Sequence, residues 1–353
     1  MRRTLMTKMN DTWIINCFAT NGKLSGDELH LVTIPIPELG DGEVLLKTKL
    51  LTLDPSNRLW LSEAKDYLPQ LQIGDVMRGV VIAEVEQSKH KQFYQGQFVI
   101  ALLGWQKYTV IHGDKLTPEN YAFSFTPHPE IPLDTYASAL GLTGWTAFVG
   151  LEYIARVKAG DNVLVSGAAG ATGLLACQLA KAKGGRIIGI AGGQRKCDLL
   201  VEQFELDGVI DYKNCNSLSD AFQTQFPEGI DVFFDNVGGE ILDAALENMA
   251  LRGRIVISGS ISQYQHFGDK KETYGLQNTF YIASKHLRME GFLILDYIDR
   301  LSEILSLMEQ WFLEGKIKDR NTIVNGLENA QETLPRLFTG DHIGKLLINV
   351  ATE

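Results

Sequence analysis

The sequence predicts an α/β protein of two domains, a small β-barrel followed by a doubly wound parallel sheet. Three observations predict it. The chain has 353 residues, enough for two hydrophobic cores at roughly 100 to 200 residues per domain. Its first third consists of short apolar runs separated by turn signals. From Asn162 onward, buried strands alternate regularly with helical stretches. With 45% hydrophobic and 22% charged residues, the composition is that of an ordinary folded chain. The formal net charge of −10 argues against a broad nucleic-acid surface but leaves room for one local anion site.

Taken in order, Met1 to Lys8 is basic but lacks the apolar core and cleavage site of a secretory signal, and reads as a frayed terminus. No apolar run approaches the roughly 18 residues of a membrane span. Cys17, Cys177, Cys197 and Cys215 form no Cys-x-x-Cys pair, so a reducing compartment, the cytoplasm, is expected. Glu43 to Leu50 alternates as a strand should, and Val80 to Val85 and Phe98 to Leu103 are further strands, divided by turns such as Gly40-Asp41-Gly42 and Tyr94-Gln95-Gly96. Leu133 to Val157 reads as one helix containing Gly141-Leu142-Thr143-Gly144. The parallel strands follow at Val163-Leu164-Val165, Ile187 to Ile190, Gly208 to Ile210, Val232 to Phe234 and Ile255 to Ile257, with a last one near Phe292-Leu293-Ile294. Tyr297 to Phe312 is an amphipathic helix with Leu301, Ile304, Leu305 and Met308 on one face. Ile317 to Val350 returns to strand and short-helix character and is expected back on the first domain. The domains are therefore drawn as 1–133 plus 317–353, and 134–316.

Chemistry enters at Gly167-x-x-Gly170-x-x-Gly173, placed between a buried strand and a helix. Glycines there allow a tight turn and let a pyrophosphate approach helix N-terminal amides. An NAD site commonly offers an acid about 20 residues further on. This chain instead reads Ala191-Gly192-Gly193-Gln194-Arg195-Lys196, with two cations and room for a 2′-phosphate, so NADP is favoured. The competing reading of Arg195 and Lys196 is a solvated helix start. Asn236 and Ser258 each follow a strand, where ligands of open parallel sheets bind. The other reading of Asn236-Val237-Gly238-Gly239 is an ordinary turn.

Six motifs in order, Asp54-Pro55-x-x-Arg58, Val76-Met77-Arg78-Gly79, Gly141-Leu142-Thr143-Gly144, Ala168 to Gly173, Phe234 to Gly239 and Gly259 to Tyr264, together resemble the zinc-independent medium-chain dehydrogenase/reductases of the prostaglandin reductase, alkenal double-bond reductase and curcumin reductase group. The resemblance spans about residues 13 to 350. It implies a GroES-like barrel, a Rossmann domain, often a homodimer joined through Rossmann sheet edges, and NADPH-dependent reduction of the C=C bond of a small α,β-unsaturated ketone or aldehyde. It further implies that Gly170, Ala171, Thr172, Gly173 and Leu174 hold the pyrophosphate. Gly192, Lys196 and Tyr212 would surround the 2′-phosphate. Asn236, Ser258, Gly259, Ser260, Ile261, Ser262 and Tyr264, with Phe292, Leu293 and Ile294, would follow the nicotinamide half.

The chain departs from that pattern at Ser56-Asn57, within a substrate-side segment, and at His342 in Asp341-His342-Ile343-Gly344-Lys345, where relatives often carry Asn. His342 either replaces the cofactor contact or faces solvent. The barrel has only Cys17 and reads Gly74-Asp75-Val76-Met77-Arg78-Gly79 where zinc enzymes need a Gly-His-Glu segment, so no zinc ligand set is expected. That favours conjugate reduction over carbonyl reduction. Enone reduction needs hydride at the β-carbon, a donor to the enolate oxygen and a proton for the α-carbon. Tyr264 is the best candidate for the second or third task, the alternative being an aromatic lid. Tyr67, Leu68, Trp60 and Trp105 are either a substrate wall or core, and Arg58 and Arg78 are expected to be structural, pairing with carboxylates near the domain junction. The competing functions are a quinone oxidoreductase and a non-catalytic NADPH-binding protein.

Overall fold

The computed structural model describes residues 8–19, 24–63, 67–266 and 273–350. The expected frayed terminus, residues 1–7, lies outside the described residues. The chain divides into two compact units, residues 1–137 with 323–339 and 346–353, and residues 138–322 with 340–345.

The first unit contains β1 (Met9–Ile15), β2 (Leu29–Pro35), β3 (Glu43–Leu53), β4 (Arg78–Ser88), β5 (Phe98–Gly104), β6 (Tyr108–His112) and β7 (Ala122–Phe125). β1 and β2 form an antiparallel pair, while β3, β4, β5 and β7 follow one another in an antiparallel sheet with β6 also on β3. The register of β3 against β4 shifts between Leu45 and Leu46 and again between Thr48 and Leu50; such irregularities bend a sheet and sharpen its twist. Val44, Leu46, Leu51, Val81, Ile82 and Val85 are completely or almost completely buried in its core.

The second unit is built on β8 (Asn162–Val165), β9 (Arg186–Ala191), β10 (Gly208–Asp211), β11 (Ile230–Asp235), β12 (Met249–Ile257) and β13 (Arg288–Gly291). These strands pair in parallel in the order β10-β9-β8-β11-β12-β13. Numbered within the unit, the order is 3-2-1-4-5-6, the dinucleotide-binding arrangement, whose direction reverses between β8 and β11. Helices cover both faces, so the central strands are apolar on both sides. Phe233 enters a cluster with Leu164, Ile188, Phe222 and Leu246, whereas Phe234 packs where a Cβ on Gly150 would come within 2.6 Å of it.

The C-terminal stretch adds β14 (Asn321–Asn325) and β15 (Lys345–Asn349). β15 pairs with β3 through Leu346 to Asn349. Residues 317–322 and 340–345, however, group with the second unit.

Three elements differ from their sequence-based outlines. The single helix expected over 133–157 is broken into Leu133–Tyr136, Leu142–Val149 and a wider-turned Gly150–Ala155. Gly141 is extended there (φ −108°, ψ −157°), and a Cβ on Gly144 would lie 1.7 Å from the Ala139 carbonyl oxygen, a close approach that local periodicity does not reveal. The last strand is Arg288–Gly291, four residues before the expected apolar run. It is a sheet edge with every residue exposed, so it carries no apolar signal. The amphipathic helix begins only at Leu301, after a 3-10 stretch from Ile294 to Arg300 with a kink at Tyr297.

Candidate active site

The carboxyl end of β8 runs through the glycine turn into the helix Ala171–Ala182. Gly167 has φ +58°. A Cβ on Gly173 would lie 2.3 Å from the Gly167 carbonyl oxygen, so the helix can sit this close only with glycine there. The Ala168 N–H donates to Ile190 O at 3.0 Å and the Leu174 N–H to Gly170 O at 2.9 Å. The amides of Ala171, Thr172 and Gly173 precede the first intrahelical bond, and with the helix dipole they form an anion-receptive end. Leu174 differs: its N–H is used within the helix and its side chain is buried, so it packs the helix on the sheet.

The loop 340–345 docks against this turn. The Gly344 N–H donates to Ala169 O at 2.8 Å, and Gly170 bridges Gly344 in parallel register. Gly344 has φ +66°, and a Cβ on it would lie 1.7 Å from Arg320 O. His342 is half-buried in this loop, and a Cβ on Gly340 would stand 3.6 Å from Lys196 Nζ.

Lys196 belongs to the helix Gln194–Glu202 after β9. Burial pushes its ammonium below the ordinary lysine value; Lys213 and Arg195 add to that, and Asp341 opposes it. A Cβ on Gly192 would meet Tyr212 Cε1 at 2.7 Å and Lys213 Cε at 2.9 Å. Gly192, Tyr212 and Lys213 are thus close neighbours, and Lys213 acts on Lys196. Asp211 organises the corner by accepting from Gly193 N at 2.8 Å and Lys213 N at 3.1 Å; the Gly193 bond leads the causes that hold its carboxyl below the usual range. Lys213 was missed by sequence reasoning, although a second cation directly after the third strand was a visible signal. A cationic corner beside a glycine turn fits a dinucleotide with an additional phosphate.

At the switch point, Asp235 is fully buried at the end of β11. Ser166 Oγ donates to it at 2.6 Å, Gly238 N at 3.0 Å and Val237 N at 3.0 Å. Burial pushes its carboxyl up and these bonds oppose the shift. The Asn236 N–H donates to Ser166 Oγ at 2.8 Å and its side-chain amide donates to Ser166 O at 2.7 Å, clamping the ends of β8 and β11. The loop after β12 is stitched to the same place. Ser258 N and Gly259 N donate to Asp235 O, Ile261 N donates to Asn236 O, and Ser262 N donates to Val237 O. A Cβ on Gly238 would come within 2.3 Å of Ser260 Oγ. The Tyr264 hydroxyl accepts from Ser260 N–H at 3.2 Å, which fixes the phenol over its own turn. Phe292, Leu293 and Ile294 follow β13; Phe292 meets Tyr297 edge-on at 6.4 Å, and Leu293 is exposed.

In the first unit, Trp60 and Trp105 are buried and belong to the core, whereas Tyr67 is exposed. Asn57 is structural: its Oδ1 accepts from Asp54 N at 2.7 Å and its Nδ2 donates to Arg78 O at 3.2 Å. Burial lowers the Arg58 guanidinium and Glu28 opposes this. Arg78 donates to Pro69 O at 2.7 Å and lies 5.4 Å over the Trp60 ring. Among the described residues no group of three or more His, Cys, Asp or Glu is arranged to hold a metal. A cationic depression of about 490 Å³ lined by Arg252, Arg254, His286 and Arg288 opens at the amino ends of β12 and β13, away from the carboxyl ends where the candidate residues gather.

A doubly wound sheet with a glycine turn and a cationic corner at its carboxyl ends defines a dinucleotide-binding protein. Residues 13–118 match the family described as the N-terminal domain of oxidoreductase, and residues 171–310 the one described as zinc-binding dehydrogenase. The chain is 36% identical to a 2-alkenal reductase (NADP(+)-dependent) of Nicotiana tabacum, covering 94% of each. It is 35% identical to the NADPH-dependent curcumin reductase of Escherichia coli, covering 89% of each. The crystal structure of CurA from Vibrio vulnificus in complex with NADPH superposes with a TM-score of 0.87 at 32% identity, over 97% of this chain and 100% of that one. The chain belongs to the zinc-independent medium-chain dehydrogenase/reductase family.

Proposed function

We infer that this protein reduces the C=C bond of small α,β-unsaturated ketones or aldehydes with NADPH. The observation that carries the reading is its similarity, over nearly the whole chain, to reductases named for 2-alkenals and curcumin. When bound, NADPH supplies the hydride that reaches the β-carbon. The amides of Ala171, Thr172 and Gly173, with Gly170 open to close approach, orient the pyrophosphate. Lys196, Tyr212 and Lys213 hold the 2′-phosphate beside Gly192. Asn236, the Ser258–Tyr264 turn and Phe292 to Ile294 would hold the nicotinamide half, with His342 of the docked C-terminal loop a further candidate contact. Tyr264 would offer its phenolic O–H as a hydrogen bond to the enolate oxygen, its own oxygen held by Ser260 N–H, while solvent water supplies the proton that completes the α-carbon.

The deciding experiment follows NADPH consumption with a simple enone, with NADH as control and the product identified by mass. Saturated carbonyl product with NADPH preferred is the expected result. Tight NADPH binding without saturated product, or hydride passing only to quinones, overturns the reading.

A cytoplasmic homodimer completes this proposal. No helix among the described residues is long and apolar enough to cross a membrane. β13 is a terminal strand of its sheet and offers an exposed backbone edge with Met289 exposed on it, which a second copy would pair.

A further inference from the structure

The helix Gly239–Asn248 buries a carboxylate that none of the roles above uses. Asp243 is 6% exposed. Its Oδ2 accepts from the Tyr274 phenol at 3.0 Å, and its Oδ1 accepts from the backbone N–H groups of Gln277 and Asn278 at 2.9 Å each. Its carbonyl accepts from the Asn278 side-chain amide at 3.0 Å. A carboxylate is tolerated out of water only when its oxygens are satisfied, and here every one of these donors comes from the single stretch 274–278.

That stretch reaches back to the active-site turn. The Tyr274 N–H donates to Gln263 Oε1 at 2.9 Å. Gln263 Nε2 donates to Ser262 Oγ at 3.3 Å, and Ser262 Oγ donates to Val237 O at 2.6 Å. Gln263 immediately precedes Tyr264. The helix bearing Asp243 also begins at Gly239, where a Cβ would meet Ser262 Oγ at 3.0 Å and Gln263 Nε2 at 3.1 Å. The turn is thus held from two directions by one helix.

We propose that Asp243 is a positioning residue which, through Tyr274 and Gln263, holds the Ser258–Tyr264 turn and the Tyr264 hydroxyl in place for substrate. In its kinetic part this rests on the reductase reading. Burial, the Asp243 bond and nearby Glu240 all push the Tyr274 phenol above its ordinary value, so it remains a neutral donor to Asp243 at physiological pH. Removing the phenol loosens the turn without touching the coenzyme phosphates.

The test uses Tyr274→Phe, which keeps the carboxylate and both of its backbone donors, alongside Asp243→Asn. With the enone substrate, kcat is expected to fall roughly tenfold in Tyr274→Phe, because small displacements of a reacting group are costly, while NADPH binding measured by fluorescence quenching, carried mainly by the phosphates, weakens far less than kcat falls. In a Tyr264→Phe background the same substitution should cost little more. Amide hydrogen exchange supplies a readout independent of turnover. The Ile261 and Ser262 amides, bonded to Asn236 O and Val237 O, should exchange faster in both variants while the helix Ala171–Ala182 does not change. Unaltered exchange at Ile261 and Ser262, or a kinetic loss that multiplies fully with Tyr264→Phe, overturns the proposal. If the unmodified protein saturates no enone, the reductase reading fails, and the exchange experiment still judges the positioning role.

Discussion

In the proposed function, Lys196 is the side chain on which coenzyme choice turns. Its charge is disfavoured by burial and by two neighbouring cations, a cost that a bound phosphate dianion offsets. Lys196→Ala should weaken NADPH by about one to two orders of magnitude, the range of a lost charge-assisted hydrogen bond, and leave NADH unaffected. The ratio of the two KM values reads this directly. Phosphate binding requires the ammonium, so NADPH affinity should be complete below the Lys196 value and decline as pH rises through it, at a pH lower than the ordinary 10.5. For folding the sign is opposite. The unfolded chain binds the extra proton between these values, so this group's contribution to stability rises with pH across that window. Titrating NADPH affinity in the unmodified protein and in Lys196→Ala isolates the effect. Tyr264→Phe removes the proposed enolate donor and should lower kcat roughly tenfold to a hundredfold with NADPH binding intact; unchanged kcat would transfer that task to water or a ribose hydroxyl.

The glycine turn and the loop 340–345 behave as one unit because Gly173 and Gly344 sit where a Cβ has no room. Gly173→Ala places a methyl 2.3 Å from Gly167 O and should destabilise by about 1 to 3 kcal/mol, as overpacking does. Gly344→Ala combines a left-handed backbone with a 1.7 Å approach to Arg320 O and should cost more. It should also undock the loop from Ala169, so NADPH affinity falls together with Tm. Calorimetry with and without NADPH separates the two. The apolar strands were legible in the sequence because a parallel sheet buries both faces, which makes Val163 to Val165 and Val232 to Phe234 continuous apolar runs. β13 was not legible in this way, because Arg288 to Gly291 form an exposed edge and the apolar residues follow the strand. The break between Tyr136 and Leu142 was equally hidden, because it depends on how closely Gly144 approaches Ala139.

At the level of assembly, the sheet ends in β13, whose outer edge is paired by no strand among the described residues, and Met289 on it and Leu293 just after it are exposed. A homodimer paired along this edge should be seen by light scattering as twice the chain mass, and Met289→Asp should return it to the monomer. A monomeric unmodified protein would remove the edge-pairing proposal and leave the reductase reading standing.

Local sequence was sufficient to determine the βαβ rhythm, the glycine turn and the two cations after β9, because strand burial, turn chemistry and helix starts act over a few residues. The family resemblance rested on the same short motifs. Only the tertiary structure decided that Lys213 joins Lys196, that Gly344 closes on Ala169, that Asn236 clamps Ser166, and that Asp243 holds the return of the Tyr264 loop. Each of these joins chain segments brought together by packing, and hydrogen bonds and charge interactions depend on distance in space, which separation along the chain does not encode.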